Sequence, residues 1–92
     1  MKIYSTKFKG LKIIKRDIFH DSRGYFQEVY KQKQLKIHKP IFWCMSASKK
    51  NVLRGLHLQT KKTQEKFLSV VKGKILDVVV DLRHKSKTFG KH

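Results

Sequence analysis

The chain has 92 residues, enough for one small domain at most. Hydrophobic residues make up 39% and charged residues 32%, a globular balance that excludes a disordered tail; one proline and five glycines exclude a low-complexity chain. The unusual figure is a net charge of +17, from 23 basic against 6 acidic residues, and so much like charge weakens a compact state unless an anionic partner or further chain compensates it.

Strand is the dominant predicted element. Residues 11–16 read as a first strand after a turn at Gly10. Asp21-Ser22-Arg23-Gly24 is a turn signal, with Gly24 free to take the positive φ such turns require. Residues 25–30 follow as a strand. Residues 31–39 are polar, with room for one short helical turn that Pro40 closes. Residues 41–48 read as extended, Lys49-Lys50-Asn51 as a polar turn, and 52–59 as a strand behind it. After a polar loop at 60–65, residues 67–71 and 75–82 flank Lys72-Gly73-Lys74 as a β-hairpin. Leu76, Val78, Val80 and Leu82 form one apolar face of its second strand, and residues 83–92 read as a polar loop leading onward. Short strands at this spacing predict an all-β sandwich or barrel, and an apolar last strand without a neighbour looks like the first part of a larger β structure.

Nineteen of the basic residues are lysines and four are arginines, Arg16, Arg23, Arg54 and Arg83. Lysine is a point charge, whereas arginine makes forked contacts to phosphate and carboxylate. A lysine excess scattered along the chain reads as composition and solubility, so the arginines mark the better candidate sites. Cys44 stands alone, so no disulfide framework or CxxC clasp is available and a cytoplasmic setting is expected. The first ten residues lack an apolar core of signal-peptide length, and no apolar run reaches the ~20 residues of a spanning helix.

The segment Val52-Leu53-Arg54-Gly55-Leu56-His57-Leu58-Gln59 carries the most chemistry. As a strand it puts Gly55, His57 and Gln59 on one face, an imidazole with open space beside it. Histidine exchanges protons near neutral pH and suits a general base, although a lone strand histidine is more often structural. Without an HxH pair a metal site is not supported, and His20, His38, His84 and His92 read as surface residues. Lys66 is, by composition, one more lysine. Arg23 and Glu28 flank Gly24-Tyr25-Phe26, where an arginine beside aromatics suits a phosphate next to a stacked base. Asp77 and Asp81 lie about 13 Å apart on an ideal strand, too far for an acid/base dyad, and read as structural or as lysine partners.

Five strings in order carry a resemblance: Phe19-His20-Asp21-Ser22-Arg23-Gly24-Tyr25-Phe26-Gln27-Glu28; 51–59; Lys66-Phe67-Leu68-Ser69-Val70-Val71-Lys72-Gly73-Lys74; 77–83; and Ser86-Lys87-Thr88-Phe89-Gly90. Together they resemble the dTDP-4-dehydrorhamnose 3,5-epimerase family across nearly the whole chain. The resemblance implies a cupin-like antiparallel jelly-roll barrel, a homodimer, no metal or cofactor, and a dTDP-4-keto-6-deoxysugar as substrate on the way to rhamnose-type sugars of lipopolysaccharide and O-antigen. It implies His57 as the base that removes a proton beside the C4 keto group and Lys66 as the cation at the enolate oxygen. It also implies Arg54 as a substrate contact, with Arg23, Phe26 and Glu28 gripping the nucleotide.

This sequence departs from the family pattern in two ways. Phe42 and Cys44 stand where the family carries a Gln-x-Asn pair. Family members are also about twice as long, and their second half supplies the carboxylate that orients the base and a tyrosine acid. The expectation is therefore that residues 1–92 are the N-terminal part of one epimerase-type barrel, truncated and weakly active alone. The alternatives are a basic β-barrel that binds single-stranded nucleic acid, motivated by the charge, and a non-catalytic remnant that still binds the sugar nucleotide.

Overall fold

The computed structural model describes residues 1–35, 38 and 42–92. Among them the regular structure is four short strands and one helical turn, the strand-dominated content expected of an all-β chain. They fall into two units, one built from Met1–Tyr30 with Ser69–His92, the other from Lys31–Leu68.

The first unit opens with a strand that the sequence reading did not assign. β1 (Lys2–Ser5) pairs antiparallel with β2 (Lys12–Lys15), the core of the predicted 11–16 strand. The register sets Ile3 opposite Ile14 and Tyr4 opposite Ile13, so apolar cross-strand pairs occupy the middle of the ribbon. Lys2 faces Lys15, an unfavourable like-charge pair at its open end, where the Met1 ammonium pairs with the Asp17 carboxylate. The connecting loop is held by Thr6, whose hydroxyl donates to the Leu11 carbonyl at 3.1 Å and accepts from the Phe8 amide at 3.1 Å. Gly10, at φ 93°, makes the turn as predicted.

β3 (Phe19–Asp21) and β4 (Gly24–Phe26) form a second hairpin around Ser22-Arg23. Asp21 pairs with Gly24, which sits at φ 135°. The Asp21 carboxylate accepts the Arg23 amide at 2.8 Å, an Asx turn that fixes the loop. The predicted 25–30 strand thus ends at Phe26, because pairing stops where β3 begins.

The C-terminal segment closes on itself. Residues 83–92 form the expected polar loop, and it folds back to Asp81. The Gly90 amide donates to the Asp81 carbonyl at 2.7 Å, and the Asp81 amide donates to the Lys91 carbonyl at 3.0 Å. Gly90 and Lys91 together oppose Asp81, with Gly90 at φ 73°, the two-against-one pattern of a G1 β-bulge.

In the second unit, α1 (Gln32–Leu35) is the expected helical turn, and Leu35 is buried, 2% exposed. Pro40, the expected stop, lies outside the described residues, as does Ile41 at the start of the predicted 41–48 segment. Asn51 at φ 64° makes the predicted polar turn. The predicted strands at 42–48, 52–59, 67–71 and 75–82 are extended chain without ladder partners among the described residues, although the chain bends at 71–73 around Gly73 at φ 85°. A strand is completed by a neighbour's N–H and C=O groups and by a layer over its apolar face. Here Leu53 and Leu76 stay about nine-tenths exposed, and no layer among the described residues covers them. Among the described residues no helix is long and apolar enough to cross a membrane.

Candidate functional site

The six candidates divide between the two units. Arg23, Phe26 and Glu28 belong to the first; Arg54, His57 and Lys66 belong to the second.

Arg23 sits in the β3–β4 loop and is clamped from behind. Its Nη2 donates to Asp21 Oδ2 at 2.6 Å, and its Nε lies 3.3 Å from the same oxygen. Hydrogen bonds from the Arg23 side chain and then its amide hold the Asp21 carboxyl below the usual carboxylate range, and the side-chain bond raises the Arg23 guanidinium. The Arg23 side chain remains 88% exposed, so its outer edge is available to an anion. Phe26 follows on β4, paired across to Phe19 and exposed, while the His20 ring lies tilted against Tyr25 with centroids 5.9 Å apart. An open aromatic surface next to a fixed guanidinium is chemically suited to a base with its phosphates.

Arg54 is anchored in a similar way. Its Nε donates to Ser48 Oγ at 2.8 Å and its Nη2 to the Ala47 carbonyl at 3.0 Å. The Lys49-Lys50-Asn51 turn brings those acceptors back over the arginine. Gly55, at φ 120°, interrupts the extended run, so the single-face alternation expected for Gly55, His57 and Gln59 is not imposed by a strand. A Cβ at Gly55 would meet the His57 amide nitrogen at 3.6 Å, a normal contact, so backbone conformation rather than space selects glycine there.

His57 and Lys66 are both exposed, and among the described residues neither makes a hydrogen bond or an ion pair. Among the described residues the histidine with an ion-pair partner is His38, which is exposed as the sequence reading placed it. Its Nδ1 lies 2.7 Å from Glu65 Oε2, and the same oxygen accepts the His38 amide at 3.3 Å. Among the described residues no three His, Cys, Asp or Glu side chains converge as a metal site, and Cys44 is exposed.

Sequence reasoning missed the bonding around Asp81, a densely bonded carboxylate. Asp81 is buried and accepts from Arg83 Nε at 2.8 Å, Arg83 Nη2 at 2.8 Å, Ser86 Oγ at 2.6 Å and Thr88 Oγ1 at 2.6 Å. Those donors, Arg83 first, hold its carboxyl far below the usual range. Its structural reading stands, but its partner is arginine rather than lysine. The signal was present as an acceptor, Asp81, followed within ten residues by the donors Arg83, Ser86 and Thr88 and by the turn-forming Gly90.

Comparison with known proteins adds the family. The model of the dTDP-4-dehydrorhamnose 3,5-epimerase family matches residues 5–92. The chain is 41% identical to a dTDP-4-dehydrorhamnose 3,5-epimerase of Neisseria gonorrhoeae over 99% of its own length and 29% of that protein's. It is 37% identical to the one of Methanothermobacter thermautotrophicus over 97% of its length and 50% of the relative's. It is 35% identical to that of Escherichia coli over 99% and 52%. No solved structure matches. The chain thus spans about half the length, or less, of these curated relatives. On a match that runs through all five sequence strings, the chain belongs to the dTDP-4-dehydrorhamnose 3,5-epimerase family.

Proposed function

We propose that this chain is the nucleotide-sugar-handling part of an epimerase acting on a dTDP-linked 4-keto-6-deoxysugar, in cytoplasmic synthesis of rhamnose-type sugars for surface polysaccharide. The observation that carries the reading is the family match over residues 5–92, which includes the Arg54-Gly55-Leu56-His57 string and Lys66. In this reading residues 1–92 form the N-terminal part of a cupin-like jelly-roll barrel that pairs as a homodimer. The uncovered apolar residues of 52–59 and 75–82 support it, since a barrel wall buries such faces.

The chemistry follows from the acidity of the substrate. A proton beside a ketone is weakly acidic, so a base alone removes it slowly. His57 takes that proton, the C–H electron pair moves into the new C=C bond, and the carbonyl oxygen gains negative charge. Lys66 stabilises that oxygen, and because the charge develops in the transition state the interaction accelerates the step. Return of a proton on the opposite face inverts the carbon and restores the ketone. Arg54 is assigned a substrate contact, and Arg23, Phe26 and Glu28 are assigned the nucleotide.

His57 has no orienting hydrogen bond among the described residues, and a base without one samples unproductive orientations. The 92-residue chain is therefore expected to bind dTDP and to exchange the substrate's α-proton with D2O only slowly. Titration calorimetry with dTDP on the parent chain, Arg23→Ala and Arg54→Ala tests the binding. No saturable binding, or binding indifferent to both substitutions, overturns the reading. Deuterium incorporation at ordinary enzyme rates would remove the argument about His57.

A further inference from the structure

The C-terminal loop and the β1–β2 loop are joined by two long-range hydrogen bonds. Lys7 Nζ donates to the His92 carbonyl at 2.7 Å, and Arg83 Nη1 donates to the Lys9 carbonyl at 2.7 Å. Between them lies an open pocket of about 540 Å³, lined by Lys7, Lys9, Arg83, Lys85, Lys87 and the Ser86 and Thr88 side chains. None of these residues is among the six candidates of the epimerase site.

Only part of the charge here is compensated, by the pair that Arg83 makes with Asp81. Five cations line the pocket, and the nearby carboxylate, Asp81, is already committed to Arg83, Ser86 and Thr88. Among the described residues no carboxylate pairs with Lys9, Lys85 or Lys87. The kind of anion can be narrowed. The flat fork of Arg83 is occupied by Asp81 and the Lys9 carbonyl, so two-point recognition of a planar carboxylate is not on offer. The remaining donors are lysine ammoniums, compact point charges suited to rounded, multiply charged groups. The pocket is larger than one phosphate needs and falls within the size range of small-ligand sites. The clasp on Asp81 fixes the loop bearing Lys85 and Lys87 before any ligand arrives, so little ordering is left to bind against.

We propose that the pocket between the β1–β2 loop and the 81–91 loop binds an oligophosphate group, a ligand carrying two or more linked phosphates. Such a group occurs as free polyphosphate or as the phosphate chain of a nucleoside triphosphate, and one experiment separates the two.

Tripolyphosphate and ATP are titrated into the full chain by calorimetry at low ionic strength, where exposed charges are least screened. The parent is compared with K85E/K87E and with K12E/K15E, which makes the same charge change on β2, outside the pocket. All four lysines are exposed, so both variants keep the fold, and circular dichroism checks it. The expected result is binding weakened about tenfold or more by K85E/K87E, with K12E/K15E within about threefold of the parent. Equal strength for the two probes assigns the phosphate chain alone; tighter binding of ATP assigns a nucleotide. Equal weakening by both variants reduces the effect to diffuse charge and overturns the site. Absence of saturable binding to either probe also overturns it.

Discussion

Arg83 grips Asp81 through two parallel hydrogen bonds, Nε to Oδ1 and Nη2 to Oδ2, each 2.8 Å long, while its Nη1 reaches the Lys9 carbonyl. One guanidinium therefore ties a buried carboxylate to a loop 74 residues away in sequence. The chain from Asp81 to Lys91 depends on that contact.

The first prediction concerns acid. The Asp81 carboxyl titrates far below its unfolded value, so its contribution to stability is fully present above the ordinary carboxylate range. It is lost only as pH falls below about 4 towards the folded value. Amide exchange at Gly90, which donates to the Asp81 carbonyl, should stay slow from neutrality down to that point. Asp81→Asn should raise the Gly90 rate roughly tenfold or more already at pH 7. Unchanged exchange in that variant would show that the loop closes without the carboxylate.

Arg83→Lys keeps the charge and loses the fork. A lysine cannot span both Asp81 oxygens and the Lys9 carbonyl together. The variant should loosen the loop nearly as much as Asp81→Asn, and the double variant should add little, because both remove the same contact. Amide exchange of residues 86–91 across the cycle measures this.

Gly90 occupies the positive-φ position of the bulge, with open space around it. Gly90→Ala meets no clash, so its cost is backbone strain alone, about 1–3 kcal/mol. Urea denaturation of the two chains reads that difference. A neutral result would mean that the bulge relaxes to another turn.

Arg54 is held by two anchors, and Ser48→Ala removes one of them while leaving the arginine in place. Under the proposed function, affinity for dTDP should fall roughly two- to tenfold, the scale of one hydrogen bond. Arg54→Ala should cost more. If Ser48→Ala matches Arg54→Ala, the serine contacts the ligand itself.

Local features were legible in the sequence because their causes are local. Asp21-Ser22-Arg23-Gly24 turns where an Asx residue and a glycine dictate, and Asn51 takes the left-handed conformation that its short amide tolerates. β1 went unassigned because Lys2-Ile3-Tyr4-Ser5 is weakly patterned and gains strand character only from Ile13 and Ile14 across the ribbon. The 52–59 and 75–82 segments have strand composition, yet pairing is a non-local property and composition names no partner. The same limit applies to the site. Residue types and the family strings pick out His57, Lys66 and Arg54, whereas the anchors on Arg54 and the donors around Asp81 depend on the exact path of irregular turns, which residue type does not specify.

The bulge at Asp81 has an architectural consequence. The excursion from 82 to 89 leaves and rejoins the chain at one neck, where Asp81 meets Gly90 and Lys91. Apart from Arg83, Ser86 and Thr88, which donate to Asp81, its interior can be lengthened at a closure cost that grows only logarithmically with loop size. The neck cannot be altered so freely. Any segment attached beyond His92 would set off antiparallel to the chain that arrives at Asp81, already aimed back along 75–80.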